Sequence, residues 1–259
     1  MLKGKNAIVT GSTSGIGMAI ATMLAENGCN VMINGFGDKD QIEKERKELA
    51  DKYKVKVAYS AADVTKSDEI EAMVKEAHKT FGSLEILVNN AGIQFTATVD
   101  KFPDDKWKAV LETNLFASFY AIKHAVPIMK AQKYGRIINT ISVHGLVGSI
   151  EKSAYVAAKH GLSGLTKVVA LETAEDGITC NGICPGWVLT PLVQKQIDDR
   201  AQKEGKDKDA VKKELLEKHA IKEFVKPEEI AGMVVYLCGP YSNPITGSTI
   251  TVDCGWTAE

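Results

Sequence analysis

A tyrosine and a lysine stand four positions apart in the stretch SVHGLVGSIEKSAYVAAKHG (142–161), as Tyr155 and Lys159. On a helix, side chains at this spacing lie on the same face. A free phenol has a pKa of about 10 and accepts a proton poorly at neutral pH. A neighbouring ammonium stabilises the phenolate and lowers that pKa. The pair therefore predicts an acid–base group, Tyr155, that exchanges a proton with a bound alcohol or ketone.

Two further polar residues complete this candidate catalytic group. Ser142 ends a predicted strand ahead of the tyrosine, where its hydroxyl can hydrogen-bond the reacting oxygen. Asn114, in the predicted helix around ETNLFASF (112–119), can bind a water that connects Lys159 to solvent. A Tyr-x-x-x-Lys pair occurs by chance in many proteins, so the assignment depends on what else the chain carries.

The turn TGSTSGIG (10–17) joins a first predicted strand to a first predicted helix. Glycines here allow a tight turn and let the backbone approach a pyrophosphate, which the helix N-terminus attracts. The spacing is G-x-x-x-G-x-G, and the lysine of a P-loop is missing, so ATP hydrolysis is not indicated. The alternative is that the glycines only shape a turn. The candidate cofactor residues in this turn are Gly11, Thr13, Ser14, Gly15, Ile16 and Gly17.

Small and polar residues follow the fourth predicted strand in NNAG (89–92). Asn89, Ala91 and Gly92 offer such groups where a cofactor ribose would lie, and Asn90 belongs to the same candidate set. Asp63 follows the third predicted strand and is the candidate to hold the adenine edge, with Val64 beside it. Together with the glycine turn, these residues predict a dinucleotide site.

The end of the second predicted strand bears on the choice of cofactor. An acidic residue there holds the 2′-hydroxyl of NAD, whereas arginine or lysine holds the 2′-phosphate of NADP. Here the sequence is INGFGD (33–38), with Phe36 where a charge would stand. Because no basic residue is present to hold a phosphate, NAD is the predicted cofactor.

Composition narrows the function classes. The net charge of −1 does not suggest a nucleic-acid partner, and no apolar run is long enough to cross a bilayer. The first predicted strand begins too early to leave room for a signal peptide. Five scattered cysteines indicate reduced thiols in a cytoplasm. Cys180 and Cys184 form at most half of a metal site, and two incidental thiols are the preferred interpretation, so no metal is expected.

Short apolar runs alternate with amphipathic stretches along the chain, which predicts parallel strand–helix–strand units. We therefore expect one α/β domain over residues 1–259, Rossmann-type and doubly wound, with a seven-stranded parallel sheet and helices on both faces. The predicted strands are 6–11, 30–35, 55–64, 84–92, 135–142, 178–186 and 248–255. The predicted helices are 16–28, 41–53, 69–82, 105–132, 154–177 and 227–239.

The charged stretch 194–223 interrupts this alternation. We interpret it as a helical insertion with a mobile Gly205 in its middle. It is either a solvated surface or a lid over a substrate.

The motifs in combination resemble the short-chain dehydrogenase/reductase family over the whole chain. They are TGSTSGIG, NNAG, Asn114, the Ser142–Tyr155–Lys159 set and PGWVLT (185–190). The resemblance implies an oxidoreductase, usually a homotetramer, that transfers hydride between a nicotinamide and an alcohol or ketone. It also implies that Ser142 orients the substrate and that Lys159 holds the cofactor ribose. The residues it places beside the nicotinamide are Pro185, Gly186, Val188 and Thr190.

His144 and Lys152 lie between the candidate catalytic serine and tyrosine, Gln94 follows NNAG, and Gln196 opens the insertion. A cation, an imidazole and two amides that face one pocket suit a small carboxylate, so the predicted substrate is a small hydroxy acid. By resemblance these four residues hold the carboxylate, and Trp187 packs against the alkyl end.

Simpler interpretations stay open for several of these residues. Lys152 can be a solvated loop lysine, and His144 a hydrogen-bonded loop histidine. No role is assigned to His78, His124 or His219, and His160 is taken as structural. The rival functions are reduction of a 3-ketoacyl thioester and NAD sensing without turnover. An intact Ser–Tyr–Lys set argues against a sensor, because a binding protein needs no proton-transferring phenol.

Overall fold

A computed structural model describes residues 2–258 and contains one seven-stranded sheet in which all strands are parallel. The strand order is β3-β2-β1-β4-β5-β6-β7. This confirms the predicted fold class, although every strand except β2 and β6 ends at least two residues before its predicted end. The strands are β1 Asn6–Val9, β2 Asn30–Asn34, β3 Val57–Ser60, β4 Ile86–Asn89, β5 Gly135–Thr140, β6 Ile178–Pro185 and β7 Thr249–Val252.

Helices cover both faces of the sheet and bury its apolar strands in two core layers. α1, α2 and α9 pack on one face, and α3, α5 and α6 pack on the other. The helices are α1 Gly15–Glu26, α2 Lys39–Tyr53, α3 Ser67–Phe81, α4 Asp104–Leu111, α5 Ala117–Gln132, α6 Ser153–Thr173, α7 Pro191–Glu204, α8 Lys208–Leu216 and α9 Pro227–Cys238.

The strand order reverses between β1 and β4, which are neighbours in the sheet. In open α/β sheets, ligands bind at the carboxyl ends of the strands beside such a reversal. The glycine turn follows β1 and NNAG follows β4, so the fold brings both motifs to this position.

The single helix predicted over 105–132 is wrong, because α4 and α5 are separated by a π-helical turn at Glu112–Phe116. Such a turn accommodates one extra residue in a helix and occurs often at functional sites. Asn114 lies within this turn, which is therefore the element that positions it.

The insertion is helical, as expected, and consists of α7 and α8. It begins at Pro191, three residues before its predicted start, because the Thr190 hydroxyl accepts a hydrogen bond from the Val193 amide and caps α7. Gly205 ends α7 in the left-handed conformation, with φ of 62°. Arg200 pairs with Glu214 across the two helices.

Within residues 2–258, no helix is long and apolar enough to span a membrane. All five cysteine thiols are free. Burial raises the pKa of Cys180 to about 12 and that of Cys184 to about 11, which keeps both as thiols. The described part of the chain also contains no group of three or more His, Cys, Asp or Glu residues that could hold a metal ion.

Candidate active site

A cavity of about 490 Å³ lies at the carboxyl ends of the strands. Every candidate catalytic, cofactor-binding and substrate-binding residue named above lines it, with the exception of Asn89. The fold thus brings together residues that are spread along the chain from the glycine turn to the insertion.

The glycine turn fits a dinucleotide through its backbone. A Cβ on Gly11 would lie 2.7 Å from the Ala91 Cα, and one on Gly17 would collide with the Gly11 carbonyl oxygen. Only glycine permits this close approach. Ser14 precedes α1 without a side-chain cap, so the first backbone N–H groups of the helix stay available for a phosphate.

Asn89 does not face the cofactor end of the cavity, so that prediction is wrong. Its amide is buried and donates to the Asn139 Oδ1 at 2.8 Å, which ties β4 to β5. The next residue, Asn90, lines the cavity instead, and its amide donates to the Thr10 and Gly11 carbonyl oxygens at 3.0 Å. Alternation along a strand explains the difference, because consecutive side chains point to opposite faces.

The end of β2 presents an aromatic ring where a charge would select the cofactor. Phe36 lines the cavity and its side chain is 67% exposed. Among the described lining residues, the only cations are Lys152 and Lys159, which belong to the catalytic end. Asp63 lines the cavity, and hydrogen bonds from the amide and hydroxyl of Thr65 lower the pKa of its carboxyl.

Ser142, Tyr155 and Lys159 converge in the middle of the cavity. Tyr155 and Lys159 lie on α6, and the ammonium is 5.4 Å from the centroid of the phenol ring. The same ammonium donates to the Thr140 carbonyl oxygen at 2.7 Å, at the end of β5. The predicted shared helical face is therefore present.

The predicted lowering of the tyrosine pKa is not seen in this arrangement. Burial raises the pKa of Tyr155 to about 12, and the neighbouring Ser142 hydroxyl opposes this rise only in part. Burial likewise lowers the pKa of Lys159 to about 8, because its ammonium is desolvated. Desolvation is thus the main cause of the pKa shift of both side chains in this arrangement.

Asn114 is held by its amide nitrogen, which donates to the Ile93 and Val110 carbonyl oxygens, each at 2.8 Å. Its Oδ1 is buried and has no hydrogen-bond partner among residues 2–258. An unpaired buried acceptor is costly, so this atom is suited to receive a hydrogen bond from a water.

At the other side of the catalytic group, Lys152 lies with its ammonium 3.2 Å from the His144 Nε2 and 4.8 Å from the centre of the Trp187 ring. Lys152 is only 9% exposed, which is inconsistent with the interpretation as a solvated loop lysine. Since an ammonium can only donate, Nε2 accepts and the hydrogen of the imidazole is on Nδ1. That atom has no partner in the described chain.

Burial shifts the pKa of both residues downwards. The pKa of His144 falls to about 3, through burial first and then the charge of Lys152. The pKa of Lys152 falls to about 8, again mainly through burial. The result is a neutral imidazole beside a poorly solvated ammonium, a combination that favours an incoming anion.

The two candidate amides, Gln94 and Gln196, are half-buried in the cavity wall. Within the described chain neither side chain makes a hydrogen bond, so both are available to a ligand. Gln196 reaches the cavity from α7.

Two residues at the substrate end were missed by sequence reasoning. Trp256 lines the cavity and stacks on Trp187, with ring centroids 6.0 Å apart and planes at 21°. It follows the carboxyl end of β7, and this position was a signal that the residue lies near the site. His219 is buried, and its ring contacts the Trp256 indole and the backbone of Trp187.

The chain is similar to known proteins over essentially its whole length. A family profile described as "Enoyl-(Acyl carrier protein) reductase" matches residues 11–257. The chain is 50% identical to a D-beta-hydroxybutyrate dehydrogenase of Cupriavidus necator, covering 100% of both chains. It is 48% identical to a D-beta-hydroxybutyrate dehydrogenase of Rhizobium meliloti, over 98% of this chain and 99% of the relative. A tryptophan variant of actinorhodin polyketide ketoreductase, solved with NADPH, superposes with a TM-score of 0.93 at 33% identity and 100% coverage of both chains.

The chain therefore belongs to the short-chain dehydrogenase/reductase family. It is an oxidoreductase, and its fold and glycine turn are those of a nicotinamide-dependent enzyme.

Proposed function

We propose that the protein is an NAD-dependent D-3-hydroxybutyrate dehydrogenase, which interconverts (R)-3-hydroxybutyrate and acetoacetate. The observation that carries the proposal is the buried Lys152–His144 pair, which faces the same cavity as Tyr155. In addition to Lys159, which neighbours the phenol on α6, the cavity thus contains a second buried ammonium, and this one suits a substrate that has a carboxylate close to its hydroxyl. The two relatives with this printed activity, which match essentially the whole chain, support the same conclusion.

In the oxidation direction, Ser142 orients the hydroxyl of the substrate and Tyr155, as phenolate, accepts its proton. Bound NAD supplies the acceptor for the hydride that leaves the same carbon. Burial alone disfavours the phenolate of Tyr155, and the positive charge of a bound oxidised nicotinamide would favour it. Lys159 adds its charge, and we propose that Asn114 binds a water that carries the proton onward to solvent. In reduction, Tyr155 returns the proton to the oxygen of the ketone.

At the substrate end, Lys152 pairs with the carboxylate, and Gln94 and Gln196 add hydrogen-bond donors. His144 contributes its Nδ1–H and holds Lys152 through Nε2. Trp187 covers the methyl end of the substrate. Because Gln196 lies on α7, we propose that α7 and α8 act as a lid that completes the site when substrate binds.

Reduction of a 3-ketoacyl thioester is the alternative within the family. A thioester has no carboxylate to pair with a buried ammonium, and burying that charge without a partner would cost several kcal/mol. The bulky stacked indoles of Trp187 and Trp256 also line the substrate end of the cavity. Both features favour the small hydroxy acid.

We further propose a cytoplasmic homotetramer. Its support in the structure is apolar surface on two neighbouring helices, where Phe119 of α5 and Val168 and Leu171 of α6 are exposed. Exposed apolar surface of this kind is typical of subunit contacts. Light scattering during gel filtration measures the mass directly, and a monomer would contradict this proposal.

The activity is tested by absorbance at 340 nm after mixing the protein with NAD and (R)-3-hydroxybutyrate. We expect rapid formation of NADH with this substrate, little with the (S)-enantiomer, and almost none with 2-butanol, which has no carboxylate. A 3-ketoacyl thioester with NADPH serves as the competing assay. Faster turnover in that assay, or equal turnover of 2-butanol, would contradict the proposal.

A further inference from the structure

His219 is a buried histidine on the segment 217–226, which connects α8 to α9, and it has no part in the chemistry above. Its side chain is 0% exposed. The ring Nδ1 lies 2.8 Å from the Glu223 carbonyl oxygen, and Nε2 lies 3.2 Å from the backbone nitrogen of Trp187. A carbonyl oxygen can only accept, so Nδ1 carries the hydrogen. Nε2 therefore accepts from the Trp187 N–H, and two backbone groups define a single neutral tautomer.

The same imidazole contacts the second indole of the substrate end. Its centroid is 5.8 Å from that of Trp256, which in turn stacks on Trp187 and meets the His144 ring edge-on at 5.4 Å. The His219 ring also lies close to the backbone just before Trp187. A Cβ added to Gly186 would be 2.9 Å from the His219 Nε2. One buried ring thus contacts both the Trp187 backbone and the Trp256 indole.

The segment 217–226 binds the substrate end through the backbone of two further residues, Val225 and Ile221. The Val225 amide donates to the Trp187 carbonyl oxygen at 2.9 Å, so both polar groups of the Trp187 backbone are bound by this segment. The Ile221 amide donates to the Cys254 carbonyl oxygen at 3.0 Å. Val225 and Val188 also form an isolated parallel bridge. The segment thereby joins the lid helices to the turn that carries Trp187.

We propose that His219 is a positioning residue that determines how tightly the enzyme binds its substrate. As the neutral Nδ1–H tautomer, it holds the Trp187 backbone and the Trp256 ring against the methyl end of the hydroxy acid. It acts through these two residues and contacts neither substrate nor cofactor. The inference rests on the proposed function for the identity of the substrate, but the contacts themselves do not.

Two amide substitutions separate the two hydrogen bonds of the ring. The amide nitrogen of asparagine replaces Nδ1 and can donate to the Glu223 carbonyl, whereas the amide oxygen of glutamine replaces Nε2 and can accept from Trp187. We expect His219→Asn to raise KM for 3-hydroxybutyrate about tenfold, because the buried Trp187 N–H loses its acceptor, while KM for NAD stays within about twofold. His219→Gln restores most of the affinity. His78→Asn, at an exposed position on α3, is the control and leaves both KM values unchanged.

A merely structural role predicts a different pattern. In that case both variants lower the thermal stability and the active fraction, and the surviving enzyme keeps the KM of the parent, which would overturn the proposal. Equal increases in both KM values would overturn it too.

Two readouts do not depend on turnover. In a Trp107→Phe background the fluorescence reports Trp187 and Trp256 only, and we expect its emission to change in His219→Asn and not in His219→Gln. If the parent proves inactive on 3-hydroxybutyrate, the proposed function fails while this spectrum still tests His219. In the parent enzyme, peptides covering 185–190 and 217–226 should exchange backbone hydrogens together. Rapid exchange at Trp187 while 217–226 stays protected would contradict the inference even if His219→Asn does not fold.

Discussion

The ammonium of Lys152 lies 3.2 Å from the His144 Nε2, in a part of the cavity where burial lowers the pKa of both residues. The imidazole is neutral and accepts, so it orients the lysine without repelling it. The ammonium in turn lacks a negative partner within the described chain. A bound carboxylate would supply that partner, and this relationship makes the substrate end of the cavity the most informative place to test.

Replacing Lys152 by alanine should raise KM for 3-hydroxybutyrate roughly ten- to a hundredfold, the worth of one charge-assisted hydrogen bond to a partly desolvated carboxylate. KM for NAD should change little. Steady-state kinetics with each substrate varied in turn measures both. Lys44→Ala, at an exposed position on α2, is the matched control. Unchanged KM in Lys152→Ala would show that no carboxylate is bound there.

Removing the imidazole by His144→Leu should weaken substrate binding less than Lys152→Ala does. His144 is neutral because burial lowers its pKa to about 3, so the substitution removes hydrogen bonds and no charge. The increase in KM for 3-hydroxybutyrate should therefore be smaller, on the order of a few-fold. A larger effect than that of Lys152→Ala in the same kinetic assay would reverse the roles assigned to the two residues.

The pH dependence of oxidation should have two opposing parts. Alcohol oxidation releases a proton and requires the phenolate of Tyr155, so kcat rises between about pH 6 and about pH 9. Lys152 has a lowered pKa of about 8, so it is charged below that pH and neutral above it. Substrate binding is therefore lost as the pH rises through about 8, and kcat/KM falls on the alkaline side. Lys152→Met should lack this alkaline fall, and its persistence in that variant would assign it to another group.

Tyr155→Phe should reduce kcat by about a hundred- to ten-thousandfold, the usual contribution of a general acid–base group. NADH binding, followed by fluorescence titration, should stay close to that of the parent because the ring and its packing are retained. Tyr241→Phe, on the exposed surface, is the control. Equal losses of cofactor affinity and turnover would mean that Tyr155 is structural.

The sequence predicted the parallel sheet and most of the site because both follow from local patterns. Alternating apolar runs and helices defined the strands, and the carboxyl ends of β1, β4, β5 and β6 carry the motifs. The π-helical turn at Glu112–Phe116 could not be predicted from such patterns, because the sequence around Asn114 has the pattern of one continuous helix. What distinguishes the turn is Asn114 itself, whose amide donates to backbone oxygens of Val110 on α4 and of Ile93 in the loop after β4.

Other errors have a similar physical origin. The orientation of Asn89 depends on the register of a strand end, where one residue reverses the face. The pKa of Tyr155 depends on how completely the fold buries it, and burial is a property of the assembled domain. His219 was given no role because its partners, the Glu223 carbonyl and the Trp187 amide, are backbone groups that a sequence pattern does not display.

Cofactor choice depends on the end of β2, where Phe36 is exposed and lines the cavity, and no described lysine or arginine lines the cavity beside it. A 2′-phosphate would have no positive partner there, so kcat/KM should favour NAD over NADP. Phe36→Arg should narrow that ratio by roughly tenfold, because an exposed guanidinium can pair with the phosphate. Phe36 is a better position for this test than Gly37, whose φ of 156° is unfavourable for other residues.

Phe36→Leu controls for loss of the aromatic ring and should leave the NAD-to-NADP ratio close to that of the parent. The readout is kcat/KM for each cofactor at saturating 3-hydroxybutyrate, measured at two salt concentrations because an exposed ion pair is screened by salt. If kcat/KM for NADP increases in Phe36→Arg and this increase is smaller at high salt, the guanidinium contacts the 2′-phosphate. A parent enzyme that already prefers NADP would contradict the NAD assignment and would favour the thioester-reductase alternative.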